Sequence, residues 1–129
     1  MDHIATFTLN LPAGTVAVGT TTYIMGKAPA DAYGGGLKIL EGYTAASAAL
    51  AAGSALNVTF ITLDSTSTVS GTIGATGAGS AWTAGTARAL TVSDGWVDGG
   101  EYIAAVVVGT AVNATSHVLS LGLNGVMGR

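Results

Sequence analysis

Four kinds of residue in this chain have the chemistry to act on a ligand. The first is glycine. Gly19 and Gly26-Lys27 approach a phosphate-binding loop, but six residues separate the glycines rather than four, and Ala28 stands where a Ser or Thr must meet Mg²⁺. Gly34 to Gly36 precede no helical pattern, so they offer no helix N-terminus to an anion. The second is the acidic group Asp94, Asp98 and Glu101. A hard cation needs several oxygens converging from a defined loop, and this spacing is not that of a calcium loop. Asp94-Gly95 and Asp98-Gly99 read instead as turns, with the Asp bonding its own backbone and the Gly supplying positive φ. The third is histidine. His3 and His117 lie at opposite ends of the chain, and no His pair has ligating spacing. Ser116 precedes His117 without a nucleophile elbow, and no carboxylate pair suited to glycoside hydrolysis stands out. The fourth is tryptophan. Trp82 and Trp96 fall in or beside loops, where each either plugs an end of the fold or anchors a partner. The reading is therefore of a protein that is not an enzyme and has no metal or other cofactor.

Composition dictates which elements hold these residues. Of 129 residues, 70 are Ala, Gly, Thr or Ser; Gln is absent, and only 9% are charged. The long polar side chains that clothe helices are missing, while β-branched residues that suit a pleated sheet are plentiful. Four cations against seven acids cannot neutralise a phosphate backbone or hold a basic helix on a membrane, so neither nucleic acid nor membrane is an expected partner. There is no Cys, hence no disulfide or thiolate metal site. Met1-Asp2-His3 lacks the pattern of a signal peptide, and the longest wholly apolar stretch, Ala104 to Val108, is far too short for a membrane helix. Asn57-Val58-Thr59 and Asn113-Ala114-Thr115 are treated as chance glycosylation tripeptides.

About eight short strands follow from the patterning: Ile4 to Leu11, Thr21 to Met25, Leu37 to Thr44, Leu56 to Ser65, Thr68 to Ile73, Arg88 to Ser93, Tyr102 to Val108 and His117 to Leu123. Leu37, Ile39 and Tyr43 share one face, and Glu41 falls on it too. Leu56, Val58 and Phe60 oppose Ile61 and Leu63, the two-sided pattern of a central strand. Lys27 to Gly36, Ala45 to Ala52 and Gly74 to Gly85 read as loops. With no convincing helix and no linker, residues 1–129 are expected to form one antiparallel β-sandwich, jelly-roll-like.

Three segments, Phe7 to Thr15 (FTLNLPAGT), Tyr23 to Tyr43 (YIMGKAPADAYGGGLKILEGY) and Leu90 to Val106 (LTVSDGWVDGGEYIAAV), occur in the order in which they resemble the small head-decoration proteins of tailed bacteriophages. The resemblance implies a virion structural protein, made in the bacterial host cytoplasm and placed on the outer capsid surface, where it binds the major capsid protein and stabilises contacts between its subunits. It further implies a homotrimer at a three-fold position. Few edge strands are protected here, with two Lys and two Pro in the chain, and unprotected edges alone would fit a dimer equally well. Ala104, Ala105, Gly109, Gly122 and Gly125 would allow close approach of a second chain. The candidate interface residues are Met1, Asp2, His3, Met127 and Arg129 at the weakly patterned ends, with Trp82 and Trp96. The alternative is a glycan- or receptor-binding module of a phage head or tail fibre, which would want more clustered aromatics than 6% supplies.

Overall fold

The computed structural model describes residues 3–11, 19–28, 36–46, 56–75, 88–109 and 119–127. Ten strands form: β1 (His3–Leu11), β2 (Gly19–Lys27), β3 (Gly36–Ala46), β4 (Leu56–Leu63), β5 (Val69–Ala75), β6 (Arg88–Ala89), β7 (Thr91–Val92), β8 (Trp96–Asp98), β9 (Tyr102–Gly109) and β10 (Leu119–Met127). No helix occurs among the described residues.

The strands form two antiparallel sheets. Sheet A runs β1-β10-β3, with β6 and β8 both on the far edge of β3; sheet B runs β2-β9-β4-β5-β7. When β6 and β8 are taken as one interrupted strand, successive strands distribute between the sheets in the order of a jelly roll, two interleaved Greek keys. The expected antiparallel sandwich is therefore observed.

Between the sheets lies one core, with Phe60, Leu37, Ile39, Ile73, Ile103, Leu119, Leu121, Leu123 and Val58 fully buried. β4 is buried on both faces as its pattern requires: Val58 and Phe60 join this core, whereas Ile61 and Leu63 form a second cluster with Ala104 on the other face of sheet B.

The sequence expectations need four corrections besides shifts in where strands end. First, Glu41 does not share a face with Leu37 and Ile39. Asn124 opposes Glu41 while Gly125 opposes Ile39, so Leu40 is an extra residue in the ladder and flips the alternation. Glu41 is thereby exposed, and Thr44 is turned inward. Second, Arg88 to Ser93 is not one strand. β6 pairs with β3 in sheet A and β7 with β5 in sheet B, and Leu90, buried between them, plugs the side of the sandwich. Third, Trp96 to Asp98, expected as turn and loop, pairs with β3 as β8. Fourth, Ala104, Ala105, Gly122 and Gly125 meet their own chain. Ala104 and Ala105 are fully buried, and a Cβ on Gly125 would fall 2.7 Å from the Leu37 side chain. One on Gly122 would enter the Tyr43 ring. The expected loops are also shorter at their ends: Gly74 and Ala75 extend β5, Lys27 belongs to β2, and Gly36, Ala45 and Ala46 belong to β3; residues 29–35, 47–52 and 76–85 lie outside the described residues.

The β4–β5 hairpin is closed by Asp64. Its Oδ1 accepts the Thr66 hydroxyl (2.6 Å), the Thr66 amide (2.8 Å) and the Thr68 amide (3.0 Å). The Thr66 hydroxyl foremost, then the Thr68 and Thr66 amides, hold this carboxyl below its ordinary value of 3.8. A depressed folded-state pKa contributes stability above the unfolded pKa that is lost as pH falls through the folded one. The protection of the Thr66 and Thr68 amides, measured as exchange relative to an unstructured peptide at the same pH, should fall on acidification below about pH 4. The Asp64→Asn variant should lose that pH step, and a step of the same size in the variant would contradict the assignment.

Thr44 Oγ1 is buried, with no hydrogen-bond partner among the described residues. An apolar group of the same shape removes the desolvation penalty, so Thr44→Val should stabilise by about 1 kcal/mol and raise Tm by about 4 °C. A lower Tm in thermal melts would show that the hydroxyl is satisfied in solution.

Candidate functional site

The tight turn before β9 accounts for the acidic residues. Asp94 Oδ1 accepts the Trp96 amide (3.1 Å), and Asp98 Oδ1 accepts the Trp96 indole N–H (2.6 Å). Glu101 Oε1 accepts the Asp98 amide (3.0 Å), and its Oε2 accepts the Ser70 hydroxyl. Asp94 thus bonds its own turn as the turn reading expected, whereas Asp98 bonds the Trp96 indole instead of its own backbone, and Glu101 takes the amide donor of the second turn. The positive φ of this turn falls on Gly100 (87°), not on Gly95 or Gly99. Gly95 is required for closeness instead, since a Cβ there would collide with the Ile39 carbonyl. Among the described residues, no group of three or more His, Cys, Asp or Glu side chains is placed to share a metal.

Gly19 and Gly26-Lys27 do not form a loop. Both belong to β2, whose backbone pairs with β9, and Lys27 Nζ stands 5.3 Å from the centre of the Tyr102 ring, a cation–π contact. Their amides therefore do not converge on an anion.

The outer side of sheet A gathers what remains. Val126, Lys38 and Trp96 occupy one row across β10, β3 and β8. Lys38 is exposed, Trp96 is 38% exposed, and Leu40, the extra residue of the β3 ladder, is 56% exposed. Two aromatic rings lie flat here because glycines leave room beneath them. A Cβ on Gly36 would sit 2.8 Å from the Trp96 ring, and Gly122 leaves the same space under Tyr43. The polar margin includes Asn124 Nδ2 donating to Glu41 Oε1 (3.3 Å). The result is a flat, part-aromatic face. Among the described residues it shows no cleft of the kind that encloses a small ligand.

Of the candidate interface residues, Trp96 lies on this face. His3 and Met127 oppose one another at the end of the β1–β10 ladder, one residue beyond the Trp96 row. They are not loose ends: β1 begins at His3, and β10, between β1 and β3, runs through Met127. Met1, Asp2, Trp82 and Arg129 lie outside the described residues, and so do His117 and Ser116. Sequence reasoning missed Lys38, Leu40 and Tyr43. The signal available was the pair of glycines, Gly36 and Gly122, whose missing side chains make space that only the folded register reveals.

Comparison with known protein families, with curated proteins and with solved structures returns no match.

Proposed function

We propose that this protein is a capsid decoration protein of a tailed bacteriophage, binding the outer surface of the shell and bridging neighbouring major capsid protein subunits. One observation carries the reading. The flat face of sheet A is built chiefly by two of the segments that resemble such proteins, although they are distant in sequence. Residues 23–43 supply Gly36, Lys38, Leu40 and Tyr43; residues 90–106 supply Trp96 and Asp98, paired residue by residue with Lys38 and Gly36. The same segments also meet behind the face, where the Ala28 amide donates to the Glu101 carbonyl (2.8 Å) and the Gly100 amide to the Ala28 carbonyl (2.9 Å).

Adhesion is the mechanism. An exposed tryptophan and leucine bury apolar area on a facing surface, and Lys38 with the Glu41–Asn124 pair supplies rim hydrogen bonds. A modest contact suffices where one unit touches several subunits, because linked contacts multiply into avidity. Added to expanded capsids assembled without it, the protein should co-sediment with them and raise their resistance to heat and low ionic strength. Capsids that neither bind it nor gain stability would remove the proposal.

A further inference from the structure

The four sheet edges differ in how they are protected. β7, β6 and β8 are only two or three residues long, a standard defence against unwanted pairing. β2 is nine residues long, with Lys27 at its end and a register shift between Ile24 and Gly26. β1 is also nine residues long. It pairs with β10 in unbroken register from His3 to Leu11, and it contains neither Pro nor Lys. Among the described residues nothing pairs with its other side. β1 and β2 are the edges of opposite sheets on the same flank, with Phe7 packed against Gly26 between them. Phe7 and Leu9 of β1 point toward the core yet remain half-buried, as do Tyr23 and Met25 of β2.

We infer that this flank is the interface with a second copy of the chain, related by a two-fold axis perpendicular to the sheets. Antiparallel pairing of β1 with β1 of the second copy continues sheet A across the axis, and β2 meets its own counterpart in sheet B. Each edge strand is about 30 Å long, and the flank, two sheets about 10 Å apart with their side chains, is about 20 Å wide. Such a contact covers about 600 Å² per copy, about 1,200 Å² in total, within the range of stable protein interfaces. The half-buried side chains become continuous core. Charge does not oppose it: the described residues of the two strands carry no acid, and Lys27 at one end of β2 meets Gly19 of the second copy. The two-fold differs from the homotrimer that the resemblance implies, and the inference does not rest on capsid binding.

Residue-resolved amide exchange and sedimentation of the whole chain test this directly. In a monomer, alternate amides of β1 face solvent and exchange fast. In the dimer, successive amides from Ala5 to Leu9 are all protected, and dilution exposes every second one. With the axis at Phe7, Thr6 opposes Thr8 of the second copy. Both are exposed on the outer face, so Thr6→Lys with Thr8→Lys should leave the fold intact and weaken dimerisation about 30-fold through like charges placed opposite each other. Mixing that variant with Thr6→Glu/Thr8→Glu should restore the dimer. A monomer at about 100 µM, a trimer, or a dimer whose β1 amides exchange alternately would overturn the inference. So would charge variants that dimerise as well as the wild type.

Discussion

Replacing Phe60 with alanine is expected to destabilise the protein by about 3–5 kcal/mol, the largest effect of any single core truncation here. Phe60 is fully buried on β4, and its cross-strand neighbours are Ala105 on β9 and Gly74 on β5. Its ring therefore fills the middle of a row in which both immediate neighbours are small, and truncation leaves only Tyr23 and Val92, at the row's two ends, with larger side chains. Leu121 and Leu123, by contrast, sit among other branched side chains that can close in part around a void. A domain of this size has a total stability of about 5–15 kcal/mol, so the variant should lose about a fifth of it or more and melt at least about 12 °C lower. Phe60→Leu should retain much of the loss, whereas Ile24→Ala, at a position 52% exposed, should stay within about 0.5 kcal/mol of wild type. Equal effects at Phe60 and Ile24 in denaturant titrations would mean that the sandwich is not closed as described.

A second large effect is expected at Gly95, where the chain crosses from one sheet to the other. The Ser93 amide donates to the Ile73 carbonyl on β5 (2.8 Å), and two residues later the Gly95 carbonyl accepts the Ile39 amide of β3 (2.7 Å). Leu90, whose amide donates to the Gly42 carbonyl (2.9 Å), is the plug beneath them. A Cβ at Gly95 meets the Ile39 carbonyl, a backbone atom with no freedom to rotate away. Gly95→Ala should therefore part β8 from β3 and cost about 2–3 kcal/mol. Gly71→Ala is the control. A Cβ there falls 3.2 Å from the Thr62 hydroxyl, a side-chain atom that can move, and its melting temperature should change by no more than a few degrees. If Gly95→Ala melts like Gly71→Ala, the strap does not join the sheets.

The strands were legible wherever apolar residues alternate or run together over several positions. β1, β4 and β9 follow their patterns almost to the residue. What the sequence hid are features that break the period of two. The extra residue at Leu40 carries no composition signal, and it reverses which side of β3 Glu41, Tyr43 and Thr44 occupy. The strap from Arg88 to Asp98 pairs in fragments of two or three residues, too short for any periodicity. Trp96 was legible as an exposed aromatic near a turn, whereas its neighbours on the flat face depend on the register that sets Lys38 opposite it and on the glycine that lets its ring lie down. His3 and Met127 were placed together by the ladder, in regular strands rather than at free ends.

Image reconstruction of expanded capsids saturated with the protein tests the decoration reading most directly. The expected result is ordered density on the outer surface at junctions between capsid subunits, with the face bearing Trp96, Leu40 and Lys38 turned toward the shell. Trp96→Ala, which truncates a partly exposed side chain, should reduce occupancy while the protein remains folded. Density absent from the shell, or that face turned to solvent with occupancy unchanged in Trp96→Ala, would contradict it.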